Sequence, residues 1–238
     1  MSRLKKLIRR TFRTIFPSHP AVKFFNEIHG KYDARYFREE LLPPQSIPLL
    51  GDMLAVFMEV CRSVDVKPIL GHGALIGWWW SKQLLPWDDD IDLLIAHEEL
   101  CALQPLHSKV FAERYLFEIN PNHVVRETLN KTHSDWAEPN RIDARFIDTH
   151  NGLYIDITAL HAFDERRLST KCPHIFEEEQ LFPLQYSTFA GIPVFVPADV
   201  ESVLQREYGN EVLTRTEFNG HTFDRTDLLW KPDAGLRS

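Results

Sequence analysis

The chain has 238 residues, 44% apolar and 12% aromatic, enough to bury a sizeable core as one large or two small domains. Its three cysteines, Cys61, Cys101 and Cys172, are far apart and odd in number, which fits neither a disulfide framework nor a zinc ligand set and leaves a reducing compartment or simple core cysteines. The net charge of -7 is uneven: residues 1–20 carry six basic side chains and no acidic one, leaving 21 basic against 34 acidic residues, so the acidic body disfavours nucleic acid as a partner.

In chain order, Leu4, Leu7, Ile8, Phe12 and Ile15 fall close to one stripe of a helix whose remaining surface is cationic, until Pro17 stops it. This is the pattern of an interfacial membrane helix, with a solvated, frayed terminus as the plainer alternative. No apolar run reaches the roughly 18 residues of a membrane span. Arg9, Arg10 and Arg13 interrupt the only secretory candidate, so the expected location is cytoplasmic, peripheral at an anionic membrane surface.

The stretch "PPQSIP" (43–48) punctuates the chain, and 49–64 then shows apolar residues at helical spacing. "KPILGHGALIGWWW" reads as a short strand, a glycine turn and a second helix, and "DIDLLIA" as a strand with Ile91, Leu93 and Ile95 facing one way. "RIDARFID", "THNG" and "LYIDITAL" predict a hairpin whose Asn151-Gly152 pair forms a type I′ turn. "GIPVFVP" is a further strand, followed by a helix with Asp199 near its start and Gly209 at its end. The order is mixed α/β (α+β).

Asp88, Asp89, Asp90 and Asp92 crowd against the apolar strand. On a strand, residues two apart share a face about 7 Å apart, so Asp90 and Asp92 converge while Ile91 and Leu93 enter the core. Two carboxylates about 4 Å apart repel by about 4 kcal/mol at an effective dielectric near 20, and a divalent cation between them removes that penalty. Oxygen ligands favour magnesium or manganese, which keep substrate phosphates as further ligands. Asp88 and Asp89 read as a solvated acidic turn. Gly71, His72 and Gly73 lie at the strand-to-helix turn, where bare backbone admits a phosphate to the helix N-terminus.

The run "HGALIGWWWSKQLLPWDDDIDLLI" resembles the LicD/fukutin-related family, whose motif pairs a glycine turn with Pro-Trp-Asp-x-Asp-Ile-Asp. "ARFIDTHNGLYIDIT" resembles the second block of that family's fungal mannosylphosphate-transfer branch, "FPLQYSTFAGIPVFVPADVESVLQREYG" its closing block, and "HGKYDARYF" is fainter. The resemblance spans about residues 70–210. It implies a nucleotidyltransferase-like mixed sheet flanked by helices, one domain over 21–238 after the basic helix of 1–20, with Asp90 and Asp92 as metal ligands and Asp156 as the third carboxylate. It also implies transfer of phosphocholine, alditol phosphate or sugar phosphate from a CDP-alcohol or GDP-sugar to a glycan or lipid-linked glycan. Two positions depart from the family pattern: Ala74 replaces a hydroxyl residue, and Trp80 stands where bacterial members carry Arg, with Lys82 as the cation of that linker.

Several side chains keep two readings. Trp78, Trp79 and Trp80 either stack on a donor or pack, with packing favoured for at least two. With Asn151 and Gly152 as the turn, Ile147 opposes Asp156 and Arg145 opposes Thr158, making Arg145 and Asp156 diagonal neighbours. Arg145 then clamps a donor phosphate or pairs with Asp156 or Asp143. His72 is a base, a donor ligand or a packed side chain, and His161, His174 and His221 show no ligand spacing. The expected reaction is in-line attack by an acceptor hydroxyl on the donor phosphorus. A GT-A-like glycosyltransferase and a non-catalytic regulator on the same fold are the alternatives.

Overall fold

The computed structural model describes residues 24–25, 27–124, 141–171 and 174–234. The expected amphipathic helix over residues 1–20 and Cys172 lie outside the described residues. Within them, no helix is long and apolar enough to cross a membrane, and Cys61, buried, and Cys101, exposed, are free thiols.

A two-stranded ribbon, β1 (Glu27–Ile28) and β2 (Tyr32–Asp33), precedes helix α1 (Pro43–Ser63). Next come β3 (Ile69–Leu70), α2 (His72–Ser81), β4 (Ile91–Ala96) and α3 (His97–Ala102). Strands β5 (Val110–Phe111), β6 (Tyr115–Ile119), β7 (Ala144–Asp148), β8 (Tyr154–Ala162), β9 (Arg167–Ser169) and β10 (Ile175–Glu177) follow, then the short α4 (Glu178–Leu181). The chain continues through β11 (Gln185–Phe189), β12 (Ile192–Val196), α5 (Val200–Tyr208), β13 (Glu217–Phe218), β14 (His221–Asp224) and β15 (Leu229–Pro232).

Ten strands form one mixed sheet among the described residues, in the order β11-β12-β3-β4-β8-β7-β6-β5, with β9 and β10 continuing from β8. The β12–β3 and β4–β8 pairings are parallel and the rest antiparallel. With helices packed against it, this is the mixed α/β architecture anticipated from the order of elements. Strand β4 sits between β3 and β8, so Leu94 is as buried as Ile91, Leu93 and Ile95. A central strand covered on both faces reads as continuously apolar, whereas an alternating reading suits a half-exposed one.

Helix α1 begins at Pro43, six residues before the periodicity alone suggests. Pro43 and Pro44 occupy its first turn, where a backbone N–H has no intrahelical acceptor and proline's fixed φ suits the helix. Its buried stripe of Leu50, Met53, Leu54, Phe57 and Cys61 joins the main core with β7, β8 and β12. Helix α5 is bounded as expected: the Asp199 side chain accepts from the Ser202 N–H, and Gly209 ends it at φ 80°.

The hairpin forms, with a different turn. Its closing pair is Asp148 and Leu153, joined by an Asp148 N–H to Leu153 carbonyl bond of 2.8 Å, so the loop is Thr149 to Gly152. Only Gly152 there has positive φ, at 88°, while Asn151 instead accepts from the Leu153 N–H through its side chain at 2.9 Å. A Cβ on Gly152 would stand 2.9 Å from the Asp33 carbonyl oxygen and from the Phe37 nitrogen. The "HGKYDARYF" stretch packs there. The longer loop moves the register by two, so Arg145 faces Asp156 directly and Ile147 faces Tyr154.

Candidate functional site

The β4–β8 pairing builds the site. Asp92 and Asp156 are register partners, and Arg145 on β7 and then Glu118 on β6 continue the same row across the sheet. Asp90 ends the loop just before β4, and carboxylate oxygens of Asp90, Asp92 and Asp156 lie within 4.8 Å of one another. Ile91 and Leu93 anchor this ledge in the core.

Crowding and burial raise the proton affinity of the ledge. The Asp90 carboxyl is pushed up to about 9, first by burial and then by the charges of Asp92 and Asp156. Asp92 is pushed up to about 6 by burial, with Asp156 and Glu207 adding to it; His72 and a hydrogen bond from the Gly73 N–H oppose the rise. Asp88 reaches about 7 for the same reasons, burial first and then Asp92 and Asp89. It is therefore a fourth member of the cluster, not the solvated turn residue read from the sequence. Asp89 does face solvent and pairs with Lys31 at 3.6 Å.

The glycine turn serves this ledge differently from the phosphate cradle expected. Gly71 is the N-cap of α2, its N–H donates to the Asp92 carbonyl at 3.1 Å, and its φ of -128° asks nothing special of glycine. A side chain is excluded there because a Cβ would lie 2.8 Å from Cγ of buried Leu94. At Gly73 a Cβ would meet an Asp88 carboxylate oxygen at 3.1 Å. The Gly73 N–H is spent on Asp92, so at least one helix N-terminal donor holds the protein's own carboxylate.

Arg145 resolves as an ion pair. It is fully buried, donates through Nε and Nη2 to the two oxygens of Asp156, the latter bond being 3.1 Å, and reaches Glu27 at 2.6 Å. Tyr154 lies against one side of the guanidinium at 3.7 Å and Phe25 lies at 4.7 Å. Of the two readings, pairing with Asp156 is the one seen: a guanidinium held by two carboxylates and two rings is a strut for Asp156, with Nη1 donating to no partner among the described residues. Asp143, the other partner considered, pairs with Lys171 at 2.7 Å.

Lys82 is not brought to the ledge. It caps the C-terminal end of α2, about 15 Å along the axis from His72 at a rise of about 1.5 Å per residue, and its ammonium lies 2.8 Å from the Trp78 ring centroid. The tryptophans pack, as favoured. Trp78 and Trp79 lie against the main core and Trp78 donates to the Ser187 hydroxyl at 2.9 Å. Trp80 joins Phe223 and Trp230 of the β13–β15 ribbon and donates to the Val212 carbonyl at 3.0 Å.

His72 stands beside the ledge, and His174 and Glu207, which no spacing in the sequence singles out, converge on it. His72 Nδ1 is 3.1 Å from Glu207 Oε1. Burial lowers the imidazole's proton affinity, but Glu207, followed by Asp92 and Asp90, outweighs that and lifts it to about 9. His72 also sits at φ 45°, a left-handed conformation costly for a side-chain-bearing residue.

These features place the chain in a class: a mixed sheet with a glycine turn, one short helix and an Asp-x-Asp strand, completed by a carboxylate on the neighbouring parallel strand. Residues 65–199 match the model of the LicD/FKTN/FKRP nucleotidyltransferase domain, and the chain belongs to that family. It is similar to two proteins of Saccharomyces cerevisiae. Mannosyltransferase regulator 4 is 30% identical over 159 residues, covering 62% of this chain, and Mannosyltransferase regulator 14 is 29% identical over 174 residues, covering 63%. The aligned parts are only 13% and 18% of those longer relatives. Both relatives are yeast proteins, which fits the fungal branch of the family.

Proposed function

We propose that this chain transfers a substituted phosphate group from a nucleotide diphosphate donor, a CDP-alcohol or GDP-sugar, to a hydroxyl of a glycan or lipid-linked glycan. The observation that carries the reading is the convergence of Asp90, Asp92 and Asp156 within 4.8 Å. Three carboxylates at that spacing fit a hard divalent ion: their oxygens suit magnesium or manganese, and the raised proton affinity of Asp90 and Asp92 marks burial and mutual repulsion that a cation relieves. Such an ion supplies charge neutralisation at the diphosphate when bound.

The chain's own residues supply the rest. Asp90 and Asp92 fix the ledge against which the diphosphate docks, with Gly73 holding Asp92 in place. Arg145 fixes the Asp156 carboxylate in orientation, ready to accept a hydrogen bond from the acceptor hydroxyl and aim it. The acceptor oxygen bonds to phosphorus as the bond to the departing nucleoside monophosphate breaks, and the hydroxyl proton passes to a site carboxylate. Incubation with magnesium or manganese and a panel of CDP-alcohols and GDP-sugars tests this. A released monophosphate is the expected product, whereas a diphosphate would indicate sugar transfer of the GT-A kind.

A second reading rests on the relatives' names: both are mannosyltransferase regulators. On that reading the domain binds a donor-like ligand and acts on a transferase without turnover. Metal-dependent release of nucleotide by the purified chain excludes it, and donor binding without release supports it. The basic stripe of residues 1–20 carries a further part of the proposal, docking at an anionic membrane surface. Deleting residues 1–16 should weaken sedimentation with anionic liposomes; equal sedimentation removes this part.

A further inference from the structure

The most pronounced unmet polar demand near the ledge belongs to Glu207, in the last turn of α5. Its side chain is 1% exposed, and neither carboxylate oxygen accepts a hydrogen bond among the described residues. His72 Nδ1 approaches Oε1 at 3.1 Å as an ion pair and leaves Oε2 unfilled. A buried carboxylate with one oxygen paired to a single imidazole and the other unfilled has room for a further cationic partner.

The unfilled oxygen is not alone. One ligand atom from each of His72, His174 and Glu207 lies within 4.8 Å of the others, and the two imidazole rings are 5.9 Å apart and tilted by 52°. The three residues come from three remote segments: the first turn of α2, the chain entering β10, and the end of α5. Two imidazoles and one carboxylate form a borderline donor set, unlike the all-oxygen ledge of Asp90, Asp92 and Asp156.

We propose that His72, His174 and Glu207 form a second metal site, separate from the aspartate ledge, that takes a zinc-class divalent ion. Two histidines and a glutamate give three protein ligands and leave the fourth tetrahedral position open. The site ties the C-terminal end of α5 to the N-terminal end of α2, one residue before Gly73, whose N–H holds Asp92. The borderline site is thereby a clamp on the geometry of the hard one.

The test uses the full chain, stripped with a chelator and titrated with Zn²⁺ by competition and with Co²⁺ by visible absorption. One equivalent of zinc should bind with sub-micromolar affinity, excess Mg²⁺ should not displace it, and cobalt should give the absorption of an imidazole-ligated ion. Glu207→Gln and His174→Ala should each weaken zinc binding at least about tenfold and change the cobalt spectrum, whereas the double variant Asp90→Asn, Asp92→Asn, which removes only nearby charge, should weaken zinc binding less than either and leave the cobalt spectrum unchanged. Circular dichroism checks that each variant folds, and His174→Asn replaces His174→Ala if the latter does not. No binding at about 1 μM free zinc would overturn the proposal, as would binding that survives both the Glu207 and His174 substitutions or is lost with the aspartates. None of these readouts involves turnover, so absence of transferase activity with zinc binding intact would overturn only the proposed function.

Discussion

Asp92 and Asp156 stand directly opposite each other on neighbouring parallel strands, and Arg145 stands opposite Asp156 on its other side. One carboxylate is therefore shared between an acidic ledge and a buried cation. Asp156→Asn preserves size but removes that shared charge, leaving Arg145 with Glu27 as its remaining carboxylate partner. Turnover should fall by about a hundredfold or more, and stability by about 2–4 kcal/mol, because breaking a buried pair strands the other charge. Nucleotide release assays and chemical denaturation read the two effects. Near-normal turnover would remove Asp156 from the site.

Asp90→Asn separates activity from stability. Asp90 is raised by burial and by its acidic neighbours, so in the ion-free protein its charge works against the fold. The amide variant should lose magnesium-dependent donor binding yet melt at a higher temperature than the unsubstituted chain when both are free of divalent ions near pH 8. A lower melting temperature under those conditions would contradict that unfavourable charge.

The same shifts fix a pH dependence. Asp88, Asp90 and Asp92, at about 7, 9 and 6 in the folded chain, lie above the usual value of about 4. Between about pH 4 and pH 9 the folded state therefore holds more protons than the unfolded one, and stability falls as pH rises. His72, raised to about 9, acts in the same direction, since its stabilisation is complete below about pH 6.5 and lost through its folded value. The ion-free protein should melt at a lower temperature near pH 8 than near pH 5, and magnesium should raise the melting temperature more at the higher pH. Equal magnesium shifts at both would count against ion binding at the carboxylates.

Lys82→Ala tests the linker cation. Its ammonium is committed to the Trp78 face at the far end of α2. Donor KM should change by less than about twofold, with a stability loss of about 0.5–1 kcal/mol from the missing cation–π contact. A large rise in KM would restore Lys82 to the donor site.

Gly71→Ala should act on packing. The added Cβ meets buried Leu94 at 2.8 Å, so the expected outcome is a loss of about 1–3 kcal/mol in denaturation midpoints. Donor affinity of the folded fraction should be little changed; a selective loss of affinity at normal stability would return Gly71 to phosphate binding.

The sequence by itself determined the elements whose causes are local. Helical spacing before Cys61, the acidic cap and terminal glycine of α5, and the apolar run after Asp90 all follow from side-chain periodicity and capping, and the order of motifs determined the family. It also made Asp90 and Asp92 a pair, because residues two apart at the start of a strand share a face. Only the tertiary structure decided what those carboxylates meet. Parallel pairing sets Asp156 beside Asp92, and a four-residue loop in place of a two-residue turn puts Arg145 squarely on Asp156. Burial turns Asp88 from a solvated residue into a fourth acid, helix length carries Lys82 away from the ledge, and folding brings His174 and Glu207 to His72. Register between strands and convergence of remote segments depend on the packing of the whole chain, which no local spacing encodes.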